Sequence, residues 1–166
     1  MQFNALQVEA VHKCIAGPVC IVTGGPGTGK TTTLRGILAV ARSMKWKTAI
    51  CAPTGRAAKR IQEVTGFEAR TIHRLLEFDP PSMTFQKHDE NPVDADLLVV
   101  DEMSMVDLPL MASLLRARRS GCRVVLVGDE DQLPSVGPGA VLRDLVACGE
   151  IEKVVLTLVF SQADHS

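Results

Sequence analysis

The sequence predicts an α/β fold with a mostly parallel central sheet between two layers of helices. Short apolar runs of strand length alternate with helix-compatible stretches, and a glycine-rich segment joins the first run to the stretch that follows. Alternation of this kind favours a parallel sheet built through right-handed crossovers. Ligands of such sheets bind beyond the carboxyl ends of the strands, so we expect the functional residues there.

The elements follow from the chain in order. The predicted strands are Val19–Val22, Thr48–Ala52, Leu97–Val100, Val124–Val127 and Val154–Leu156. The predicted helices are Asn4–Cys14, Thr31–Arg42, Gly55–Val64, Ile72–Leu76, Leu110–Arg119 and Ala140–Cys148. The stretch 77–94 interrupts this alternation with prolines and scattered charge, which predicts an irregular insertion or a short hairpin.

Composition is typical of one soluble domain of 166 residues with a largely aliphatic core, since 46% of residues are hydrophobic and only 4% aromatic. The apolar runs are too short to cross a bilayer and the start resembles no secretory signal, so we expect a cytoplasmic protein without a membrane partner. The five cysteines have no metal-ligand spacing. The net charge of −1 gives no indication of nucleic-acid binding by itself.

The segment Gly24–Thr32, GGPGTGKTT, fits the phosphate-binding pattern G-x-x-x-x-G-K-[ST] between a strand and a helix. Glycines expose backbone amides to phosphate oxygens, and the helix start adds partial positive charge. We expect Lys30 to reach the β- and γ-phosphates and Thr31 to bind Mg²⁺. The alternative is a glycine turn that only reverses the chain. The predicted nucleotide contacts are Gly25, Pro26, Gly27, Thr28, Gly29, Lys30, Thr31 and Thr32.

Two carboxylates, Asp101 and Glu102, directly follow the apolar run Leu97–Val100. Opposite a phosphate loop, the first carboxylate suits Mg²⁺ and the second suits a general base that activates water. The alternative is an acidic strand end that caps the next helix. We therefore expect Asp101 to be a metal ligand and Glu102 to be catalytic.

A polar loop after the strand Val124–Val127 contains Gln132, whose amide could orient the attacking water or sense the γ-phosphate. A solvated turn is the alternative.

The segment after the second strand carries Thr54, Arg56, Lys59 and Arg60, which suit contacts with phosphodiester groups. A basic helix face in solvent is the alternative and is favoured by composition. His73, in a similar but weaker segment, could touch a nucleic-acid backbone or pack at a helix start.

Taken together, the ordered motifs resemble superfamily 1 DNA helicases of the RecD-like branch, the exodeoxyribonuclease V alpha-chain relatives. The motifs that carry this resemblance are NALQ, GGPGTGKTT, APTGRAAKR, TIHRLL, DEMSMVD and VGDEDQLPSVGPG, and they cover nearly the whole chain. The resemblance implies a RecA-like P-loop NTPase lobe that uses ATP and Mg²⁺ to move 5′ to 3′ along single-stranded DNA.

The resemblance also implies roles for individual residues. Gln7 would read the adenine, with an exposed helix glutamine as the alternative, and Gln132 would couple the γ-phosphate to DNA. The segments that line the path of the single strand would contribute Pro53, Thr54, Arg56, Thr71 and His73.

Two departures from the family pattern accompany the resemblance. The motifs of a second RecA-like lobe, including its arginine finger, do not occur in this chain. In addition, Ser161 stands where the family usually has an arginine, which leaves one expected γ-phosphate contact without its side chain. We therefore expect residues 1–160 to form one motor lobe and residues 161–166 to begin a truncated connection to the second.

The expected function is the ATP-binding lobe of a DNA helicase in recombination or repair, poorly active alone, with nuclease-complex subunits as further partners. A P-loop switch or assembly module that does not act on DNA is the alternative. A small-molecule kinase fits less well, because Glu102 and the Gln132 loop suit the activation of water better than recognition of a phosphoacceptor.

Overall fold

The computed structural model describes residues 4–133 and 137–157. The main elements are α1 (Ala5–Ala16), β1 (Val19–Thr23), α2 (Lys30–Ser43), β2 (Thr48–Ala52), α3 (Gly55–Thr65), β3 (Arg70–Thr71), α4 (Ile72–Leu75), β4 (Phe78–Asp79), β5 (Thr84–Phe85), β6 (Leu97–Val100), α5 (Leu108–Arg116), β7 (Arg123–Gly128), α6 (Val141–Cys148) and β8 (Glu152–Val155). A 3₁₀ turn, Met103–Met105, follows β6.

Six strands form one sheet in the order β3-β2-β6-β7-β1-β8, and every pairing within it is parallel. Strand residues alternate between two cores, so that Leu98 and Val100 face one side while Leu97 and Val99 face the other. Helices α1, α2 and α3 cover the second side, and α4, α5 and α6 cover the first. The predicted parallel sheet with helices on both faces is therefore present.

Several element boundaries differ from the predicted ones for local reasons. Asn4 is not the first residue of α1 but caps it, because its side chain accepts a hydrogen bond from the Gln7 backbone nitrogen at 2.9 Å. Helix α5 begins two residues earlier than predicted, since Asp107 accepts from the Leu110 nitrogen at 2.9 Å and Pro109 suits the first turn. Strand β8 is shifted to Glu152–Val155 by its pairing with β1.

The interrupting stretch 77–94 contains the short hairpin that was one of the two expectations. Strands β4 and β5 pair in antiparallel fashion, Phe78 opposite Phe85. The hairpin packs on the neighbouring helix through His73, whose ring centroid lies 5.3 Å from that of Phe78 and 5.5 Å from that of Phe85.

Charged side chains form ion pairs between the end of this stretch and the side of the sheet where the strands begin, which we call the amino edge; the opposite side, where the strands end, is the carboxyl edge. Asp94 pairs with Lys47 at 2.8 Å and with Arg119 at 2.7 Å, while Asp96 also pairs with Arg119 at 2.5 Å. Asp96 additionally accepts a hydrogen bond from the Lys47 backbone nitrogen at 2.7 Å. The four side chains thus join the starts of β2 and β6 to the segment after α5.

Among the described helices, none is both long enough and apolar enough to span a bilayer.

Candidate functional site

The glycine-rich loop lies between β1 and α2, and two of its glycines stand where a side chain would not fit. Gly29 has φ of +86°, and a Cβ there would lie 2.2 Å from the Gln7 amide nitrogen. A Cβ at Gly24 would lie 2.5 Å from the Thr28 hydroxyl oxygen. Helix α2 begins at Lys30 and its N-cap residue, Gly29, has no side chain that could cap it, so its first backbone amides are available to an anion.

Side chains inside the loop hold its shape. Thr28 is buried and donates a hydrogen bond to the Gly25 carbonyl at 2.7 Å. Thr33 donates to the Gly29 carbonyl at 3.1 Å, and the Lys30 ammonium donates to the Gly24 carbonyl. Three side chains thus donate hydrogen bonds to backbone carbonyls of the loop, and the Lys30 side chain extends to Gly24 at the start of the loop.

The carboxylates predicted at the end of β6 lie opposite this loop. Asp101 accepts a hydrogen bond from the Glu102 backbone nitrogen at 2.7 Å, and its own nitrogen donates to the Cys51 carbonyl at 2.9 Å. Burial raises the pKa of Asp101 to about 6, and the charge of Glu102 adds to this effect, whereas the Glu102 amide, Lys30 and Arg60 oppose it. Burial therefore disfavours the ionised form of Asp101, and a bound cation would stabilise it.

Glu102 has an unusual backbone, with φ of +53° in a residue that is not glycine. Left-handed conformations of this kind cost on the order of 1 kcal/mol or more. The conformation places Glu102 between β6 and the 3₁₀ turn, where its side chain lines the same space as Asp101.

Gln132 reaches this space from the loop after β7. Its side-chain oxygen accepts a hydrogen bond from the Ser104 hydroxyl at 3.3 Å, and its backbone nitrogen donates to the Asp129 carbonyl at 3.2 Å. Ser104 follows Glu102 by two residues, so the 3₁₀ turn connects the glutamine to the carboxylates. Residues 134–136 of the same predicted motif lie outside the described residues.

One cavity of about 590 Å³ brings these groups together. It is lined by Gly25, Pro26, Gly27, Thr28, Gly29, Lys30, Thr31, Leu34, Ala57, Arg60, Ile61, Val64, Asp101, Glu102, Val127 and Gln132. Of the predicted nucleotide and catalytic residues, Thr32 and Gln7 are not in this lining. In the described part of the chain, no group of three or more His, Cys, Asp or Glu residues is placed to hold a metal.

Gln7 lies on α1, next to Gly29 of the glycine-rich loop. Its side chain is only 6% exposed, so the alternative of an exposed helix glutamine is wrong. Its amide nitrogen donates to the Gly29 carbonyl at 3.3 Å, and its oxygen accepts from the Asn4 nitrogen at 3.0 Å. The side chain thus joins the start of α1 to the loop.

The residues predicted to bind DNA lie at the ends of β2 and β3, outside the cavity lining. Pairing of Ala52 with Thr71 puts these strand ends side by side. Thr54 caps α3 by accepting from the Ala57 nitrogen at 3.2 Å, and Thr71 caps α4 by accepting from the Arg74 nitrogen at 3.1 Å. Pro53 is half-buried and precedes this cap, while Arg56 is exposed.

The surroundings of Arg60 differ from those expected, and those of His73 match one of its two alternatives. The sequence placed Arg60 among the residues that suit contacts with phosphodiester groups. In the structure, Arg60 lines the cavity together with Asp101. The reason is its position on the face of α3 that also carries Ala57, Ile61 and Val64. His73 packs at a helix start against the hairpin phenylalanines, as one of its two alternatives stated, although the side chain remains exposed.

Sequence reasoning missed the apolar side of the cavity and Ser104. The helical spacing of Ala57, Ile61 and Val64 could have indicated a common face. No pattern in the sequence indicates that Ser104 holds Gln132, since 28 residues separate them.

Comparison with known proteins gives a consistent result. A family model described as AAA domain matches residues 7–138. The chain is 48% identical to the ATP-dependent RecD2 DNA helicase of Deinococcus radiodurans, covering 98% of this chain and 21% of that protein. It is 44% identical to the RecBCD enzyme subunit RecD of Mycolicibacterium smegmatis, covering 84% of this chain and 30% of that subunit. The chain therefore spans less than a third of these relatives.

Among solved structures, the Bacteroides sp. Pif1 complex with ADP-AlF4 matches with a TM-score of 0.70 and 22% identity, over 98% of this chain and 43% of that one. At this identity the match concerns the fold. It confirms the predicted RecA-like α/β class, and the RecD relatives confirm the resemblance drawn from the motifs.

Proposed function

We propose that this chain, which belongs to the AAA-domain family, is the ATP-binding lobe of an ATP-dependent DNA helicase that acts in recombination or repair. The observation that carries the proposal is the cavity of about 590 Å³ that the glycine-rich loop, the two carboxylates and Gln132 line together. Water activation next to a bound triphosphate needs these groups at one place.

Within this cavity, Lys30 and the backbone N–H groups of Gly25 and of residues 27–31 bind the β- and γ-phosphates. Thr31 and Asp101 supply hydroxyl and carboxylate oxygens, the hard donors that suit Mg²⁺. Burial raises the pKa of Asp101, and a cation bound beside it would lower that pKa again, because it favours the charged carboxylate. When bound, Mg²⁺ would offset charge on the β- and γ-phosphates.

Glu102 acts as the general base, and Gln132 orients the attacking water or senses the γ-phosphate. Ser104 holds the Gln132 side chain at 3.3 Å, which restricts the amide to the neighbourhood of the carboxylates. For Gln7 we propose a role in adenine recognition. Its side-chain amide donates a hydrogen bond to the Gly29 carbonyl at the end of the glycine-rich loop.

The DNA-facing part of the proposal concerns the adjacent ends of β2 and β3, with Pro53, Thr54, Arg56, Thr71 and His73. We place this lobe in residues 1–160 of a cytoplasmic protein that moves 5′ to 3′. A second RecA-like lobe supplies the arginine finger, and nuclease-complex subunits are further partners. Ser161 and the rest of 161–166, which we expect to connect the two lobes, lie outside the described residues.

The test is single-turnover hydrolysis of ATP by this chain, with and without single-stranded DNA, together with ATP affinity. Glu102→Gln removes the base but keeps a side chain of similar size, so hydrolysis should fall about 100-fold or more while affinity is kept. Glu63→Gln, on the exposed side of α3, is the matched control and should behave as the unaltered chain.

A loss of ATP affinity in Glu102→Gln would contradict the assignment of Glu102 as base. ATP binding by a chain that neither binds single-stranded DNA nor responds to it would favour the switch or assembly module instead.

A further inference from the structure

Helix α3 carries three basic side chains near its start, and one of them lines the cavity. Ala57, Arg60, Ile61 and Val64 form the cavity side of the helix, because residues three and four apart lie above one another. Arg56, Lys59 and Arg60 are all exposed, but Arg56 and Lys59 are not part of the lining. Lining the cavity therefore distinguishes Arg60 from the other two.

The surroundings of Arg60 contain opposite charge that it does not bind directly. Asp101 and Glu102 line the same cavity, and the charge of Arg60, like that of Lys30, favours the ionised form of Asp101. Within residues 4–133 and 137–157, Arg60 forms no ion pair and no hydrogen bond through its side chain. By contrast, Arg35 on α2 donates to the Val64 carbonyl at 2.7 Å and so holds the end of α3.

The order of the sheet decides which end of a bound triphosphate Arg60 would meet. The glycine-rich loop follows β1, the carboxylates follow β6, and α3 follows β2, the strand on the far side of β6. A triphosphate that extends from the loop towards the carboxylates therefore has α3 beyond its terminal phosphate. Arg60 lies on this side, whereas Gln7 lies behind the loop at Gly29.

We propose that Arg60 is a second cationic contact for the terminal phosphate, supplied from within this lobe by the same helix that begins at the DNA-facing end of β2. The proposal rests on ATP binding at the cavity, as proposed above. A guanidinium suits it because its planar donors match phosphate oxygens in pairs.

The test compares Arg60→Ala with Lys59→Ala, its neighbour outside the cavity. Affinities of this chain for Mg²⁺ complexes of a slowly hydrolysed ATP analogue and of ADP are measured by equilibrium titration. Loss of a charged hydrogen bond to phosphate should weaken binding of the analogue by about tenfold or more. ADP affinity should change less than about twofold, and Arg60→Lys should recover part of the loss, since it restores charge without the paired donors.

A second measurement separates this role from contact with DNA. Without nucleotide, Arg60→Ala should bind single-stranded oligothymidine as the unaltered chain does, whereas Arg56→Ala should bind it more weakly and with a shallower salt dependence. A triphosphate-to-diphosphate preference unchanged in Arg60→Ala would overturn the inference. So would a loss of DNA affinity in Arg60→Ala with that preference intact.

The outcomes also distinguish the inference from the proposed function. Failure of the unaltered chain to bind the analogue would overturn both. Binding of the analogue by the unaltered chain and by Arg60→Ala with equal affinity would overturn the role of Arg60 alone. Arg60 is exposed, so its replacement should leave the thermal unfolding midpoint nearly unchanged, which circular dichroism can verify.

Discussion

Both edges of the central sheet carry charged side chains, and within the described residues those at the amino edge form ion pairs with one another. There Lys47 and Arg119 bind Asp94 and Asp96 at 2.5–2.8 Å. At the carboxyl edge, two basic residues and two carboxylates line one cavity, and none of the four forms an ion pair within the described chain. These residues are Lys30, Arg60, Asp101 and Glu102.

The difference separates structural charges from charges available to a ligand. The ion pairs at the amino edge hold the end of the stretch 77–94 against the starts of the strands. At the carboxyl edge, burial works against the charge of Asp101, and Glu102 adopts a left-handed backbone. Such costs concentrate at functional sites, because a ligand rather than the protein completes the interactions.

The largest expected effect concerns Lys30 at the carboxyl edge. Lys30→Ala should weaken ATP binding by about 100-fold, since it removes a charged donor to the phosphates, and should weaken ADP binding less. Equilibrium titration checks this, with Lys59→Ala as the control for loss of a lysine. Equal losses for ATP and ADP would argue against a contact with the γ-phosphate.

The next effect is on stability and concerns Asp101. Its pKa is raised from 3.8 to about 6, so between these pH values the folded chain holds a proton that the unfolded chain releases. Stability is therefore lost as pH rises through this window. In Mg²⁺-free buffer, Asp101→Asn should be more stable than the unaltered chain by about 2 kcal/mol at pH 7.5, after discounting for partial exposure.

Urea unfolding at pH 4 and pH 7.5 measures this difference. The advantage of Asp101→Asn should shrink towards pH 4, because the carboxyl is then protonated in the folded chain and close to half protonated in the unfolded chain, where its pKa is 3.8. The exposed Asp89→Asn serves as the control. An advantage that is independent of pH would show that the ionisation of Asp101 does not cause it.

The smallest effect concerns the amino edge. Arg119→Ala removes two pairs between partly exposed side chains, so the free energy of unfolding should fall by about 1 kcal/mol or less, and by less still in high salt. ATP affinity should not change. Arg116→Ala, an exposed neighbour on α5, is the control, and a loss of ATP affinity specific to Arg119→Ala would mean that the two edges are coupled.

Much of the fold could be predicted because its signals are local. Strands β2 and β6 have the predicted bounds, since each is a compact apolar run with polar residues at its carboxyl end. Strand β3 was missed because two residues carry no recognisable pattern, and it exists only through pairing with Cys51 and Ala52. For the stretch 77–94 the sequence left two expectations open, an irregular insertion and a short hairpin. The structure has the hairpin, in which the rings of Phe78, Phe85 and His73 pack against one another.

The glycine-rich loop, the carboxylates after β6 and the position of Gln132 could be predicted from the chain alone, because each depends on residues adjacent in sequence. The burial of Gln7 against Gly29 and the hydrogen bond from Ser104 to Gln132 could not, because they arise from the packing of distant segments. The same applies to Arg60, which lines the cavity while Lys59 does not. Which face of a helix meets a cavity depends on how the helix packs on the sheet, and that packing is set by residues far apart in sequence.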